Sequence, residues 1–298
     1  MMSPYLWIVF TLIAAAAQTL RNAAQRQLTA SIGTAGATQV RFFFGAPFGL
    51  LFLIIVWIAT GAPLPHPPPV YWLWILLGGL AQTFATALML MAMSDRSFVV
   101  VYAYIKTEPV QVALFGLILL GDKVTWPMAL AIVVATAGVV LMSIKPGAMS
   151  GGWKPTLLGL ASGALFGLSA IGYRGAILSL KDPSFVMAAT FTLAVGLLLQ
   201  SVFLTLYLYV RDRAVLVAIF RAWRPSMFAG FMGALASQFW FIGFALTAAA
   251  NVRTLALVEV PMAQAVSHRL LAEGTTRREL LGIALIVAGV ALLLWAAA

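Results

Sequence analysis

The chain has no cysteine and only two histidines, His66 and His268, among 298 residues. Disulfides, thiolate metal sites and cysteine redox motifs are excluded, and two histidines are too few for a histidine-based metal centre. Charge is nearly as scarce. Asp, Glu, Lys and Arg together supply 9% of the residues, against about 25% in an average soluble domain. That is too few to coat a water-soluble protein of this size. Walker, HExxH, GxSxG and dinucleotide-fingerprint motifs are also missing. ATP-driven transport, the usual hydrolases and a bound cofactor therefore lack support, and no catalytic or metal-ligating set is expected.

The scarcest charge is negative, with eight acidic residues against eighteen Lys and Arg, a net charge of +10. In a soluble chain that excess would suggest nucleic acid. Here no Lys/Arg-rich stripe with interleaved aromatics is present, so nucleic-acid binding is not expected. Basic residues in short loops are what orients a multispanning membrane protein.

Apolar residues are abundant. They make up 63% of the chain and arrive in blocks of about 20, the length that crosses ~30 Å of hydrocarbon as a helix. Punctuation by Gly, Pro and charge predicts helices near 5–27, 36–59, 70–93, 98–120, 126–145, 155–179, 184–209, 225–248, 253–272 and 278–297. The first run opens at Tyr5 without a basic n-region, which reads as a membrane helix rather than a cleaved signal peptide. Residues 61–69, with four prolines after Pro63, must be a loop. Residues 211–224 hold four arginines around Ala-Val-Leu-Val-Ala-Ile-Phe, the composition of a short interfacial helix.

A Gly/Pro linker at 146–155 falls at the midpoint and invites a search for a repeat. A shift of 151 residues places Glu108 on Glu259, Asp122 on Glu273, Thr125 on Thr276, Gly138 on Gly289 and Val139 on Val290; Pro109 and Pro261 miss by one. A shift of 148 places Leu20 on Leu168 and Arg26 on Arg174. Five helices per half make the second half enter the membrane from the opposite side, the inverted repeat that frames a midplane site in many secondary transporters. The expected architecture is an all-α integral membrane protein with ten transmembrane helices in two inverted five-helix repeats, 1–147 and 152–298.

The block Glu108-Pro109, Leu119-Leu120-Gly121-Asp122, Val124-Thr125 and Gly138-Val139 resembles the EamA-type repeat of the drug/metabolite transporter superfamily. A second copy reads Glu259-Val260-Pro261, Leu270-Leu271-Ala272-Glu273, Thr275-Thr276 and Gly289-Val290, and Arg41-Phe42 also looks like that family. Two departures are Asp122, where the family usually has Glu, and the late second proline. The resemblance implies a ten-helix carrier of small metabolites, amino-acid exporters included, spanning the cell inner membrane many times.

Polar residues inside spans are expensive and need a reason. Glu108 and Glu259 lie near mid-depth. Each suits a carrier in which protonation and substrate binding compete, and each equally suits a scaffold role beside the neighbouring proline. Lys106 is the sharpest anomaly, because a cation there costs at least ~2.5 kcal/mol on insertion scales. It stands about 200° around the helix from Glu108 and needs a partner elsewhere. Three readings stay open: a ligand for a substrate carboxylate, an ion pair with Glu259 or another acid, or a neutral buried amine. Tyr104, Glu108 and Gln111 share one helix face; Gln18, Arg21 and Asn22 share another. With Gln82, Gln238 and Trp240 they form a candidate polar cavity, against the plainer reading of interhelical hydrogen bonds. Arg26, Arg41, Arg174 and Arg269 read as snorkelling anchors near span ends, and Gly159, Gly163 and Gly167 as a packing stripe within the fold.

A secondary transporter of amino acids is the leading reading. Its substrate is a small molecule, its partners are the bilayer and possible coupling protons, and monomer and dimer both stay open. A membrane-embedded enzyme, a channel and a multidrug or cation efflux carrier are the alternatives. For orientation, Lys123, Lys181 and Arg253 are three basic residues on the side of the termini, against ten on the other: Arg26, Arg96, Lys145, Lys154, Arg211, Arg213, Arg221, Arg224, Arg277 and Arg278. The positive-inside rule then places both termini outside the cytoplasm, against the expectation from the family.

Overall fold

The computed structural model describes residues 5–95, 101, 104–143, 153–182, 184–260 and 276–296, and among them all regular structure is helical. Helix α1 (Leu6–Phe43) is not straight: Gly33 has φ 70° and ψ 173°, a conformation that costs residues with a Cβ dearly. The chain folds back on itself there. Gln25 Nε2 donates to the Ala37 carbonyl at 2.8 Å, across twelve residues that a straight helix would spread over about 18 Å. Residues 28–35, expected as a loop, are therefore helical on both sides of a single-glycine turn. The second arm continues as α2 (Ala46–Thr60), which carries Pro47 in its first turn and ends on left-handed Gly61. The proline-rich loop follows as expected.

Helices α3 (Pro69–Asp95), α4 (Glu108–Phe115, prolonged by a π turn over Gly116–Leu120) and α5 (Trp126–Ser143) complete the first half. The second comprises α6 (Lys154–Ser179), α7 (Phe185–Arg211), a short α8 (Arg213–Arg221), α9 (Trp223–Leu246), α10 (Ala249–Leu255, then a 3₁₀ turn over Ala256–Val258) and α11 (Arg277–Ala296). The loop at 211–224 does hold its short helix. Five helical runs are long and apolar enough to cross a membrane, of which Leu6–Thr60 is the one folded at Gly33. Four shorter apolar helices, Glu108–Leu120, Trp126–Leu141, Ala249–Val258 and Leu280–Ala296, stand in the places of the remaining expected spans. That gives ten apolar helical segments among the described residues once the run folded at Gly33 is taken as two. Outward faces are apolar: Ile58, Leu73 and Ile118 are each at least 70% exposed, affordable only against lipid.

Packing between the halves is reciprocal. The most extensive contacts join α3 to α6, α1 to α9 and α5 to α11. The third span of each half thus meets the first span of the other, and the two last spans meet each other, as an inverted repeat requires. In the α5–α11 contact the repeat-related glycines face the opposite helix. A Cβ on Gly138 would stand 2.7 Å from the Gly282 carbonyl, and one on Gly289 2.6 Å from the Ala135 amide. The linker at 146–152, Pro261, His268, Arg269 and Glu273 lie outside the described residues.

Candidate substrate site

Proline chemistry opens the site. Pro109 has no N–H to give and its ring crowds the preceding turn. The fourth span is helical at Tyr104 and Ile105, turns at Lys106 and Thr107, and restarts at Glu108 with Pro109 in the first turn. The Thr107 hydroxyl donates to the Tyr104 carbonyl at 2.7 Å, occupying one backbone acceptor at the break. In the other half, α10 tightens to 3₁₀ geometry over Ala256–Val258 immediately before Glu259. Under the 151-residue shift these breaks coincide. Each half interrupts its fourth span just before the corresponding glutamate. Interrupted membrane helices survive where their backbone lines protein or cavity rather than lipid.

The two breaks exchange partners. Lys106 Nζ forms an ion pair with Glu259, both side chains 5% exposed, and Arg253 Nε lies 3.0 Å from Glu108 Oε1. Each repeat-related carboxylate takes its cation from the opposite half. Of the three readings of Lys106, the ion pair with Glu259 is the one this arrangement adopts. Glu108 sits at the start of α4, where helix dipole and Arg253 both favour negative charge.

Aromatic rings support the second pair. The Arg253 guanidinium lies 4.4 Å from the Trp240 ring centroid and 5.3 Å from that of Phe244, within cation–π range. Trp240 Nε1 in turn donates to Gln18 Oε1 at 3.1 Å. Gln18, Arg21 and Asn22 from α1 face Lys106, Glu108 and Arg253 across a small cavity of about 10 Å³. Met89, Ile105 and Phe166 provide apolar wall. That space is room for about one water molecule, far below the roughly 300–1,000 Å³ of small-molecule sites, so the arrangement is closed.

The structure thus gathers Gln18, Asn22, Lys106 and Glu108 around one cavity, with Trp240 and Glu259 bonded to its members. It places the other candidates elsewhere. Tyr104 packs on Gly159, and Gln111 Oε1 lies beside Gly163. Gly167 packs on Val112, so the glycine stripe seats the fourth span within the fold. Gln82 accepts from Tyr173 and Gln200, the latter also bonding Gly79 and Thr83. Gln238 donates to Thr190 at 2.7 Å.

Three cations take roles that span counting did not assign. Arg253 belongs at the centre of the site rather than in a loop. Arg41 is 2% exposed and donates to the Thr86 hydroxyl at 3.0 Å, which rules out snorkelling. Arg174 binds the Phe244 and Thr247 carbonyls at the end of α9 and Asp122 at 3.2 Å, joining a helix C-terminus to the α4–α5 loop. Arg26 remains exposed. A usable signal existed for Arg253: two buried carboxylates demand two cations, and Lys106 is only one.

The EamA-like transporter family matches residues 5–144, the first half of the chain. No curated protein sequence matches significantly. A solved structure titled "Crystal structure of protein" superposes on 95% of this chain and 97% of its own with a TM-score of 0.66. At 20% identity that likeness shows the fold alone.

Proposed function

We infer that this chain, whose residues 5–144 match the EamA-like transporter family, works as a secondary transporter whose substrates are amino acids. A multi-pass membrane transporter of small molecules is what the family supports. Export across a cell inner membrane, and alternating access between units 1–147 and 152–298, are our extension. The observation that carries it is the exchange of ion pairs between the two broken helices. Rocking one half against the other must stretch or re-pair Lys106–Glu259 and Arg253–Glu108, because each pair spans the boundary. A substrate bearing a carboxylate and an ammonium can substitute for both partners at once, which makes its presence a condition for movement. Lys106 and Arg253 then receive the carboxylate, Glu108 and Glu259 the ammonium, and Gln18 and Asn22 orient the molecule.

Screening expressing cells for resistance to toxic amino-acid analogues identifies candidate substrates, and counterflow in proteoliposomes tests the mechanism. Saturable exchange of labelled amino acid is expected. Product formation without exchange would indicate an enzyme, and unsaturable flux a channel.

A further inference from the structure

Where α7 ends, four arginines gather around the short helix α8: Arg211, Arg213, Arg221 and Arg224, all exposed. The two faces of α8 are unequal. Val215, Leu216 and Ile219 turn inward onto a buried apolar cluster, with Ile219 fully covered. A Cβ on Gly36, in the second arm of α1, would stand 3.0 Å from Val215 Cγ1. The Phe220 ring centroid lies 5.4 Å from that of Phe43. Asp212, the one carboxylate inside the segment, caps the helix by accepting from the Ala214 amide at 3.1 Å. α8 is thus seated firmly on the first helical hairpin.

Its outer face mixes what water and hydrocarbon each reject. Arg213, Val217, Phe220 and Arg221 fall within about 100° of one another around the helix, and Val217 and Phe220 are 51% and 55% exposed. Tyr207, Tyr209 and Trp223 flank this face, each about half exposed. Water alone would leave the rings wet, and hydrocarbon alone would strand the guanidiniums. The headgroup layer of a bilayer suits both. Two of the guanidiniums already lie near rings, that of Arg213 at 4.1 Å from the Tyr209 centroid and that of Arg224 at 5.4 Å from that of Trp223. Arg213 Nε donates to the Tyr209 carbonyl at 3.0 Å, which fixes the stem and leaves both Nη groups for an outside acceptor.

We propose that the outer face of α8 is a docking surface for anionic phospholipid, with Arg213 and Arg221 meeting the phosphodiester headgroup and Val217 and Phe220 the start of its acyl chains. Guanidinium forks match phosphate oxygens in shape and charge. Basic clusters on amphipathic helices favour anionic lipid by about fivefold for each arginine near the surface. The proposal goes beyond the transporter reading and is independent of what is carried. It requires that α7, a helix long and apolar enough to span, crosses the bilayer.

The test uses the full chain in nanodiscs of mixed phosphatidylcholine and phosphatidylglycerol. Photoactivatable forms of the two lipids, each with its probe beside the headgroup, are crosslinked in turn and the labelled peptides mapped by mass spectrometry. The phosphatidylglycerol probe is expected to concentrate on residues 207–224, with at least about fivefold less label there from the phosphatidylcholine probe. Arg213→Gln with Arg221→Gln should abolish that preference. Lys123→Gln with Lys181→Gln, which removes the same charge from the opposite side, should leave it intact. Should the arginine variant not fold, the wild-type map decides alone. Equal labelling by the two probes, label centred elsewhere, or an unchanged preference in the folded arginine variant overturns the proposal; so does its loss in the lysine variant. Excess inorganic phosphate at constant ionic strength should not displace the label. Displacement would make the ligand a soluble anion and overturn the lipid assignment. Because the readout is a lipid crosslink, it stands apart from whether amino acids exchange in counterflow.

Discussion

At the scale of single residues, the energetics of buried ions decide what a substitution does. Lys106→Ala leaves Glu259 charged in a water-poor interior, and removing one member of such a pair typically costs about 3–5 kcal/mol. Replacing both, as Lys106→Met with Glu259→Leu, exchanges the pair for apolar packing and should recover most of that loss. Thermal unfolding of the three proteins in one detergent checks the cycle; a double variant no more stable than the single one contradicts it. Proton coupling belongs at this scale too, motivated by Glu108 and Glu259, which face Lys106 and Arg253. An imposed pH gradient should accelerate accumulation, and Glu108→Gln should remove that sensitivity; wild-type transport indifferent to the gradient leaves plain exchange. Lys106, Glu108 and Glu259 were legible because a charge inside a long apolar block is conspicuous. Arg253 and Arg41 were not, because their depth follows from the helix breaks and from close packing of α1 against α9, neither of which counting along the chain can locate.

At the scale of elements, turns explain most of the agreement and the main departure. Proline clusters announce themselves, so the loop at 61–69 was visible in advance, whereas the fourth span was expected unbroken over 98–120 and its interruption before Pro109 was not visible. A break between the first two spans was expected over 28–35, but not its form, helix on both sides of a turn made by Gly33 alone. Gly33 offers a clean test of it. No atom lies within 4 Å of an added Cβ there, so Gly33→Ala should act through backbone strain alone, costing about 1–2 kcal/mol. An unaltered melting temperature would show that the chain turns some other way. Gly138→Val should cost about 1–3 kcal/mol by overpacking, here against the backbone of α11, and reduced thermal stability checks it.

For the whole molecule, reciprocal packing gives the weak sequence repeat its meaning: the glutamates matched at a shift of 151, Glu108 and Glu259, each take a cation from the opposite half at one site. The structure also sharpens the charge asymmetry. With Arg253 buried, the side of the termini keeps Lys123 and Lys181, both exposed, while the other side keeps the ten basic residues counted above. Positive-inside reasoning then places both termini outside the cytoplasm. A C-terminal alkaline phosphatase fusion should be active and a green fluorescent protein fusion dark; the reverse would show that another determinant overrides these loops.

The central claim is that the crossed ion pairs are the transport machinery and not merely scaffold. Proteoliposome counterflow of the stabilised double variant, Lys106→Met with Glu259→Leu, tests it most directly, because that protein remains folded while one pair is gone. The account predicts saturable exchange in the wild type and its loss in the double variant at equal reconstituted amounts. Exchange by the double variant at the wild-type rate would contradict it.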